Sequence, residues 1–182
     1  MRFKLTVQYD GTEYHGWQVQ PNGPTIQGAL EAAILRMLGE STRVVAAGRT
    51  DAGVHASGQV VSFTVAAAPS ADVLLGALNA LTPPDISITA VGPVAEDFDP
   101  RRAARSRAYV YRIWNTRWPS PFWRRYAWHV PRPLDIAAMQ AATADLLGEH
   151  DFTSFRAAGL DYYAETSIGE FLLGSRESEG KR

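Results

Sequence analysis

The strongest constraint on what this chain can fold into is the order in which its hydrophobic periodicity changes over residues 1–100. Short runs of alternating or continuous apolar residues predict strands, whereas apolar residues at every third or fourth position predict helices. The strand-like runs occupy residues 3–9, 43–47, 59–65 and 86–90, and the helix-like runs lie between Thr25 and Gly39 and between Ser70 and Pro83. The predicted order is β-α-β-β-α-β, which is typical of α+β, ferredoxin-like sheets and of the RRM-like sheets that bind RNA.

Capping residues support both predicted helices. Thr25 and Ser70 can each accept a hydrogen bond from a backbone amide in the first turn. Gly39 can end the first helix in a left-handed conformation, and Pro83-Pro84 stops the second. The buried face of the second helix is predicted to carry Leu74, Leu78 and Leu81.

A second, incomplete half is predicted after the first. A strand should begin near Arg107, and another should occupy residues 126–130. A helix is expected over residues 134–147, with inward-facing Ile136, Met139, Thr143, Leu146 and Leu147. Only 24 residues follow Ala158, which is too few for the further strands and helix of such a half. The expected lobes are therefore residues 1–100 and a shortened C-terminal lobe of residues 101–182.

The net charge of −1 hides an uneven distribution of charge. Residues 101–132 hold nine arginines, eight aromatic residues and no acidic residue. Arginines mixed with aromatic rings suit a surface that binds phosphates and stacks on bases. A solvated strand face with aromatic rings in the core explains the same composition, so composition alone leaves both alternatives open.

Several classes of protein are disfavoured by composition. The chain has no cysteine, which excludes disulfides and thiolate metal sites. It has no apolar run of about 18 residues, and its first residues lack the apolar core of a signal peptide. We therefore expect a cytoplasmic protein without a membrane span.

The segment most suggestive of chemistry is the glycine-rich loop over residues 48–55, between two predicted strands. Its glycines allow a tight backbone close to a ligand, and Arg49 and Asp51 place a cation two residues from a carboxylate. A neighbouring guanidinium favours the ionised carboxylate, which can act as a nucleophile or base. The arginine can also fill the space left by an extruded base. The alternative is a structural turn in which Asp51 caps backbone amides and Arg49 pairs with a surface acid; the bare residue types favour this turn.

Other chemistries find less support in the sequence. The four histidines, at positions 15, 55, 129 and 150, match no zinc or iron spacing, so a metal site of Asp51 with His55 is a weaker hypothesis. The chain has no Walker loop, dinucleotide fingerprint or nucleophile elbow. A hydrolase that uses Asp51 on a glycosidic bond would need a second carboxylate on the other side of the bond. Asp10 and Glu13 are conceivable partners, but their spacing does not support this role.

Residues 48–55, Gly-Arg-Thr-Asp-Ala-Gly-Val-His, and residues 58–63, Gly-Gln-Val-Val-Ser-Phe, resemble the signature of the tRNA pseudouridine synthase A family. Further segments resemble the same family in the same order. They are residues 9–18, 25–27, 78–83, 85–86, 98–101, 109–113 and 151–156. The resemblance runs from about residue 3 to residue 158, and the ordered set of unrelated motifs makes it specific.

The resemblance implies the pseudouridine synthase fold and the isomerisation of uridine to pseudouridine at positions 38 to 40 of the tRNA anticodon stem-loop. The bond from C1′ to N1 breaks, the uracil turns, and C1′ joins C5. No cofactor and no metal are implied. The partners implied are tRNA and a second copy of the chain, because the family works as a homodimer whose subunits share one tRNA.

The resemblance also implies roles for individual residues. Asp51 matches the essential aspartate, which either attacks C1′ or removes a proton from C2′. Arg49 matches the arginine that pairs with this aspartate and fills the space of the flipped base, and Tyr109 matches the tyrosine that stacks on the target base. Tyr111 is interpreted as a core ring. The arginines expected to line a cleft for the tRNA backbone are Arg101, Arg102, Arg105 and Arg107.

The resemblance ends after Gly159. There the family continues with a basic residue before Ser-Pro or Thr-Pro and then with strands and a helix, whereas this chain reads Leu-Asp-Tyr-Tyr-Ala-Glu over residues 160–165. The sequence leaves open a shortened or frameshifted product, a minimal form, and a chain that needs a partner. The alternative to an active synthase is a non-catalytic tRNA-binding remnant of the family.

Overall fold

The computed structural model describes residues 1–155 and 165–168 of the chain. The protein is a mixed α/β structure that divides into two compact units, which we call the N-terminal unit, Met1–Val110, and the C-terminal unit, Tyr111–Arg182. Its described residues contain three α-helices, and the N-terminal unit holds a small antiparallel sheet. None of the helices in the described part of the chain has the length and apolarity that crossing a bilayer requires.

The N-terminal unit contains four strands and two helices in the order that hydrophobic periodicity predicts. Its elements are β1 (Arg2–Tyr9), α1 (Ile26–Leu38), β2 (Val45–Ala46), β3 (Ala56–Thr64), α2 (Ala71–Leu81) and β4 (Ile86–Val94). The strands form one antiparallel sheet in the order β2-β3-β1-β4. β1, the first strand of the sequence, therefore lies between β3 and β4. The residues that follow it leave the interior of the sheet and not its edge.

The core of this unit lies where the helices meet one face of the sheet. Alternate residues of β1 are buried, because successive side chains of a strand point to opposite faces. Both helices contribute buried residues at helical spacing, with Leu81 only half-buried. The buried residues from these three elements include Phe3, Leu5, Val7, Tyr9, Ile26, Leu30, Ile34, Leu74 and Leu78.

The predicted caps are confirmed for α1 and in part for α2. The Thr25 hydroxyl accepts a hydrogen bond from the Gly28 amide at 3.2 Å. Gly39 ends α1 with φ 68°, and its amide donates to the Leu35 carbonyl. Ser70 precedes α2 as predicted, but its side chain makes no capping hydrogen bond, so that prediction is wrong.

Two strands differ in length from the prediction, and the pairing explains why. β2 has only two residues, because its pairing is limited to Val45 with Ser62 and Ala46 with Val61 at the sheet edge. β3 begins at Ala56 and not at residue 59, because it pairs with the whole of β1, from Arg2 with Thr64 to Tyr9 with Ala56.

The described residues of the C-terminal unit form only short elements. The strands β5 (Ile113–Trp114) and β6 (Trp128–His129) pair in parallel, and β7 (Gly148–Asp151) and β8 (Glu165–Ile168) pair antiparallel. The helix α3 covers Ile136–Thr143, and 3-10 turns cover Ala144–Leu146 and Thr153–Phe155. The divergent residues 160–164 and 169–182 lie outside the described part of the chain.

Several predictions for this half are wrong. Residues 107–112 form no strand. The helix predicted over residues 134–147 extends only from Ile136 to Thr143, and the residues expected to face inward are exposed or half-buried. The Tyr111 ring is 78% exposed, so it is not a core ring. The common reason is that none of the described residues 111–154 is buried, so apolar periodicity there meets no packed layer.

Candidate active site

The loop that carries Asp51 lies between β2 and β3 in the N-terminal unit. Asp51 and Arg49 are both exposed, so a ligand in solvent can reach the carboxylate and the guanidinium. The salt bridges of the described residues include none between Arg49 and Asp51. The loop therefore offers two separate charged groups rather than a closed ion pair.

Thr50, the residue before Asp51, is attached to the core from two directions. Its hydroxyl forms a 2.9 Å hydrogen bond with the Tyr9 hydroxyl, and its carbonyl accepts one of 2.9 Å from the Trp17 amide. Tyr9 and Trp17 are buried, with ring centroids 6.2 Å apart. Burial raises the pKa of the Tyr9 hydroxyl, an effect partly offset by hydrogen bonds with the Thr50 and Gln59 side chains. The backbone immediately before Asp51 is thus bound to buried groups.

The backbone after Asp51 is also held, by a tight turn. The Val54 amide donates to the Asp51 carbonyl at 3.2 Å, and the Gly53 amide donates to the Tyr14 carbonyl at 3.3 Å. Gly53 has φ 77°, a left-handed conformation that glycine adopts at little cost. This agrees with the sequence interpretation of a glycine-dependent bend. The carboxylate of Asp51 therefore projects from a backbone that is fixed on both sides.

The segment that supports this loop is the connection between β1 and α1, over residues 10–25. Its backbone approaches so closely that two positions have no room for a side chain. A Cβ on Gly16, which has φ 87°, would lie 2.7 Å from the Thr50 carbonyl oxygen, and a Cβ on Gly11 would lie 2.1 Å from the Val54 carbonyl oxygen. The two loops thus pack main chain against main chain.

His55 and Asp10 join the same two loops. His55 Nδ1 lies 3.0 Å from a carboxylate oxygen of Asp10 and 3.1 Å from the Gly11 amide nitrogen. Nδ1 can accept from that amide only when it carries no proton, and it can donate to Asp10 only when protonated. The two contacts therefore suit different tautomers of the ring, with Nδ1 bare for the Gly11 amide and carrying a proton for Asp10. Asp10 also accepts a hydrogen bond from the Thr12 amide, so its carboxylate is occupied within this supporting structure.

Two side chains bind the carbonyls at the base of the loop. The Gln59 amide donates to the Gly48 carbonyl at 2.7 Å, and the Arg107 guanidinium donates to the Ala47 carbonyl at 2.9 Å. Arg107, predicted from the sequence as an RNA-backbone contact, is thus in contact with the loop.

The other predicted arginines lie elsewhere on the N-terminal unit. Arg101, Arg102 and Arg105 are exposed, and no hydrogen bond or salt bridge of the described residues joins them to the loop. The backbone amides of Arg101 and Arg102 donate to Asp99, and these bonds hold the pKa of that carboxyl below its usual range. Tyr109 is 80% exposed, in a segment without secondary structure.

Sequence reasoning did not find the residues that support the loop. Tyr9, Trp17, Gly11 and Gly16 are far from Asp51 along the chain, and no local pattern connects them to it. The one available signal was the resemblance of residues 9–18 to a family motif. Among the described residues, no three His, Cys, Asp or Glu side chains come together as a metal site would require.

A family model described as tRNA pseudouridine synthase matches residues 5–101, which contain the four-stranded sheet, both of its helices and the Asp51 loop. The chain belongs to this family.

Individual relatives carry a more particular name. The tRNA pseudouridine synthase A of Myxococcus xanthus is 53% identical over 169 residues, which are 93% of this chain and 63% of that protein. The protein of the same name from Moorella thermoacetica is 51% identical over 158 residues, covering 86% of this chain and 64% of the relative. The protein of the same name from Pelobacter propionicus is 48% identical over 178 residues, which are 98% of this chain and 72% of that relative.

The extent of these alignments bears on the end of the chain. The chain spans less than two thirds of the length of the Myxococcus and Moorella proteins. The alignments that cover 93% and 98% of this chain continue past residue 159, where the motif resemblance ends. Similarity to some relatives therefore continues further than the family motifs do.

Proposed function

We propose that this chain isomerises uridine to pseudouridine in tRNA, with Asp51 as its catalytic carboxylate. The observation that carries the proposal is an exposed carboxylate on a backbone whose flanking residues, Thr50 and Gly53, are hydrogen-bonded to the supporting loop. A reacting group gains most when it is held within about 3–3.5 Å of its target atom in a fixed orientation. Membership of the tRNA pseudouridine synthase family supports uridine as the target.

The reaction needs a nucleophile or base close to the ribose of an extruded uridine. The bond from C1′ to N1 breaks while the Asp51 carboxylate either attacks C1′ or removes a proton from C2′. The released uracil turns and C5 bonds to C1′. In the first route this displaces the Asp51 carboxylate from C1′, and in the second the proton that Asp51 removed returns to C2′. The proton on C5 is then lost as N1 gains one. Product and substrate have the same composition, so the overall change consumes no redox or group-transfer partner.

Two exposed side chains are proposed to assist Asp51. The Arg49 guanidinium can enter the space of the extruded base and hold a phosphate, because it is exposed and forms no salt bridge with Asp51 in the described chain. The exposed ring of Tyr109 can stack on the target base. The exposed arginines Arg101, Arg102 and Arg105 are proposed to contact the tRNA backbone.

The finer features that we propose rest on the family resemblance. The target uridines lie at positions 38 to 40 of the anticodon stem-loop, and the enzyme acts as a homodimer. The lobe over residues 1–100 is ferredoxin-like and carries the catalytic loop, and residues 101–182 form the C-terminal lobe. The element order β-α-β-β-α-β and the strand order β2-β3-β1-β4 support the ferredoxin-like assignment.

The test compares the parent chain with Asp51→Asn on tRNA made without modifications. Pseudouridine is scored by carbodiimide tagging, since it has the same mass as uridine. We expect Asn, which keeps the shape but not the charge, to lower the rate at least about a hundredfold. Asp97→Asn removes another exposed carboxylate from the same unit and should retain the parent rate.

The outcomes separate the competing functions. Equal product from the parent and Asp51→Asn would remove this carboxylate from the mechanism. Salt-sensitive tRNA binding by the parent without any product would support the binding-only alternative.

A further inference from the structure

The segment over residues 104–110 has no secondary structure, yet it carries the proposed base-stacking residue Tyr109. Within the described residues, its side-chain hydrogen bond to the rest of the N-terminal unit is the one from Arg107 to the Ala47 carbonyl, at 2.9 Å. The two residues are 60 positions apart in the sequence. A single charged donor therefore connects this segment to the loop of Asp51.

The point at which Arg107 binds is well defined. Ala47 directly follows β2, and its own amide donates to the Val60 carbonyl at 2.8 Å, so its carbonyl has a fixed position. The Arg107 side chain continues along Gly48, where an added Cβ would lie 3.6 Å from the guanidinium Nε. The contact thus falls four residues before Asp51, on the rigid base of the loop.

A contact at Arg107 restricts Tyr109 because the two residues are close along the chain. An extended chain advances at most about 3.6 Å per residue, so the Cα atoms of Arg107 and Tyr109 lie within about 7 Å of each other. Hydrogen bonds from a guanidinium are stronger than those between neutral groups. The side chains of Arg101, Arg102 and Arg105 make no hydrogen bond in the described chain, which distinguishes Arg107 from them.

We propose that Arg107 is a positioning residue, which ties the segment of Tyr109 to the loop of Asp51, and not primarily a phosphate contact. The proposal rests on the proposed function, in which both of those residues meet the same uridine. A positioning residue should affect the chemical step, whereas a phosphate contact should affect tRNA affinity and its dependence on salt.

The experiment compares Arg107→Ala with Arg105→Ala, which loses the same charge from the same segment. Arg36→Ala, on the exposed end of α1, is the control for the loss of a remote charge. Steady-state kinetics on unmodified tRNA, the salt dependence of tRNA binding and amide hydrogen exchange are measured for all four chains. The peptide covering residues 47–55 reports the contact directly, because the amides of Ala47, Gly53 and Val54 are hydrogen-bonded and exchange only on local opening.

We expect Arg107→Ala to lower kcat roughly tenfold and to accelerate exchange in the peptide of residues 47–55. Arg105→Ala should instead raise KM about twofold to threefold and reduce the slope of log affinity against log salt by about 1. Arg36→Ala should match the parent. If Arg107→Ala reproduces the raised KM and reduced slope of Arg105→Ala, with exchange unchanged, the positioning role is overturned.

Failure of the proposed function gives a different result. A parent chain that binds tRNA but yields no pseudouridine contradicts the function, whatever Arg107 does. In that case hydrogen exchange alone tests the contact between Arg107 and Ala47. Faster exchange of residues 47–55 in Arg107→Ala supports the positioning role, and unchanged exchange refutes it.

Discussion

The N-terminal unit buries its apolar side chains, whereas the described residues of the C-terminal unit expose theirs. The buried hydrophobic residues of the described chain all lie between Phe3 and Ile88. In the other unit, Tyr111 and Phe122 are 78% and 84% exposed. The difference teaches that a periodic apolar sequence produces long, buried elements only where another element covers the apolar face.

Length and pairing explain the difference. In the N-terminal unit, β1 pairs with both β3 and β4 from Arg2 to Tyr9, with one irregularity in each pairing, so nearly all of its residues lie beside two neighbouring strands. In the C-terminal unit, β5 and β6 pair over two residues each, and α3 has eight residues. Helices shorter than about 12 residues are marginal in water without tertiary packing.

The largest expected effect contrasts two leucines. Leu78 is fully buried on α2, whereas Leu147 is 44% exposed in the C-terminal unit. We expect Leu78→Ala to lower the free energy of unfolding by about 3 kcal/mol, through lost burial and a residual cavity. Leu147→Ala should cost less than about 1 kcal/mol. Urea unfolding followed by circular dichroism measures both, and equal losses would contradict the contrast.

The next effect concerns the close approach of the two loops. Gly16→Ala places a Cβ against the Thr50 carbonyl at a residue with φ 87°, so we expect a loss of about 2 kcal/mol in the free energy of unfolding and reduced pseudouridine formation. Gly76→Ala is the matched control, because this glycine lies within α2 with open space around it. It should stabilise the protein by about 0.5–1 kcal/mol. An active, stable Gly16→Ala chain would argue against a rigid support.

The smallest effect appears at high pH. Burial raises the pKa of the Tyr9 and Tyr14 hydroxyls above the ordinary value of 10.0. Their stabilising contribution is complete below pH 10 and falls above it, because the unfolded chain then loses protons that the folded chain retains. The free energy of unfolding should therefore decrease by up to about 1.4 kcal/mol per pH unit for each group.

The measurement is urea unfolding between pH 8 and pH 11. In the double variant Tyr9→Phe, Tyr14→Phe, the free energy of unfolding should decrease less with pH than in the parent. Below pH 10 the free energies of unfolding of the parent and the double variant should differ by a constant amount. A decrease of the same slope in both chains would show that these hydroxyls are not its source.

The sequence predicted the N-terminal unit well because its signals are local. The alternation of apolar and polar residues predicted β1 and its buried face. Thr25 was correctly predicted to cap α1, and Gly39 to end that helix. The same reasoning failed for Tyr111. Alternation through residues 109–113 predicted a strand with a buried face, but the strand begins only at Ile113, and Tyr111 stays 78% exposed although its ring meets that of Trp128 at 6.4 Å. The cap at Ser70 failed because residue type predicts the position of the cap but does not determine whether its hydroxyl accepts a hydrogen bond.

The sequence predicted the position of Asp51 in the candidate site but not the residues that hold its loop. The position of Asp51 between two strands followed from local patterns and from the family motif. The bond between Tyr9 and Thr50 joins residues 41 positions apart, and no periodicity encodes such a contact. Arg107 was placed in the right region, but its bond to Ala47 depends on tertiary structure.

The loop of Asp51 is supported mainly by main-chain atoms, and this has a practical consequence. The bonds from Trp17 to Thr50, from Gly53 to Tyr14 and from Val54 to Asp51 all join amides to carbonyls. None of them passes through the Asp51 side chain. If Asp51 is catalytic as proposed, Asp51→Asn should yield an inactive chain with an unaltered backbone, suited to trapping an RNA complex for direct visualisation.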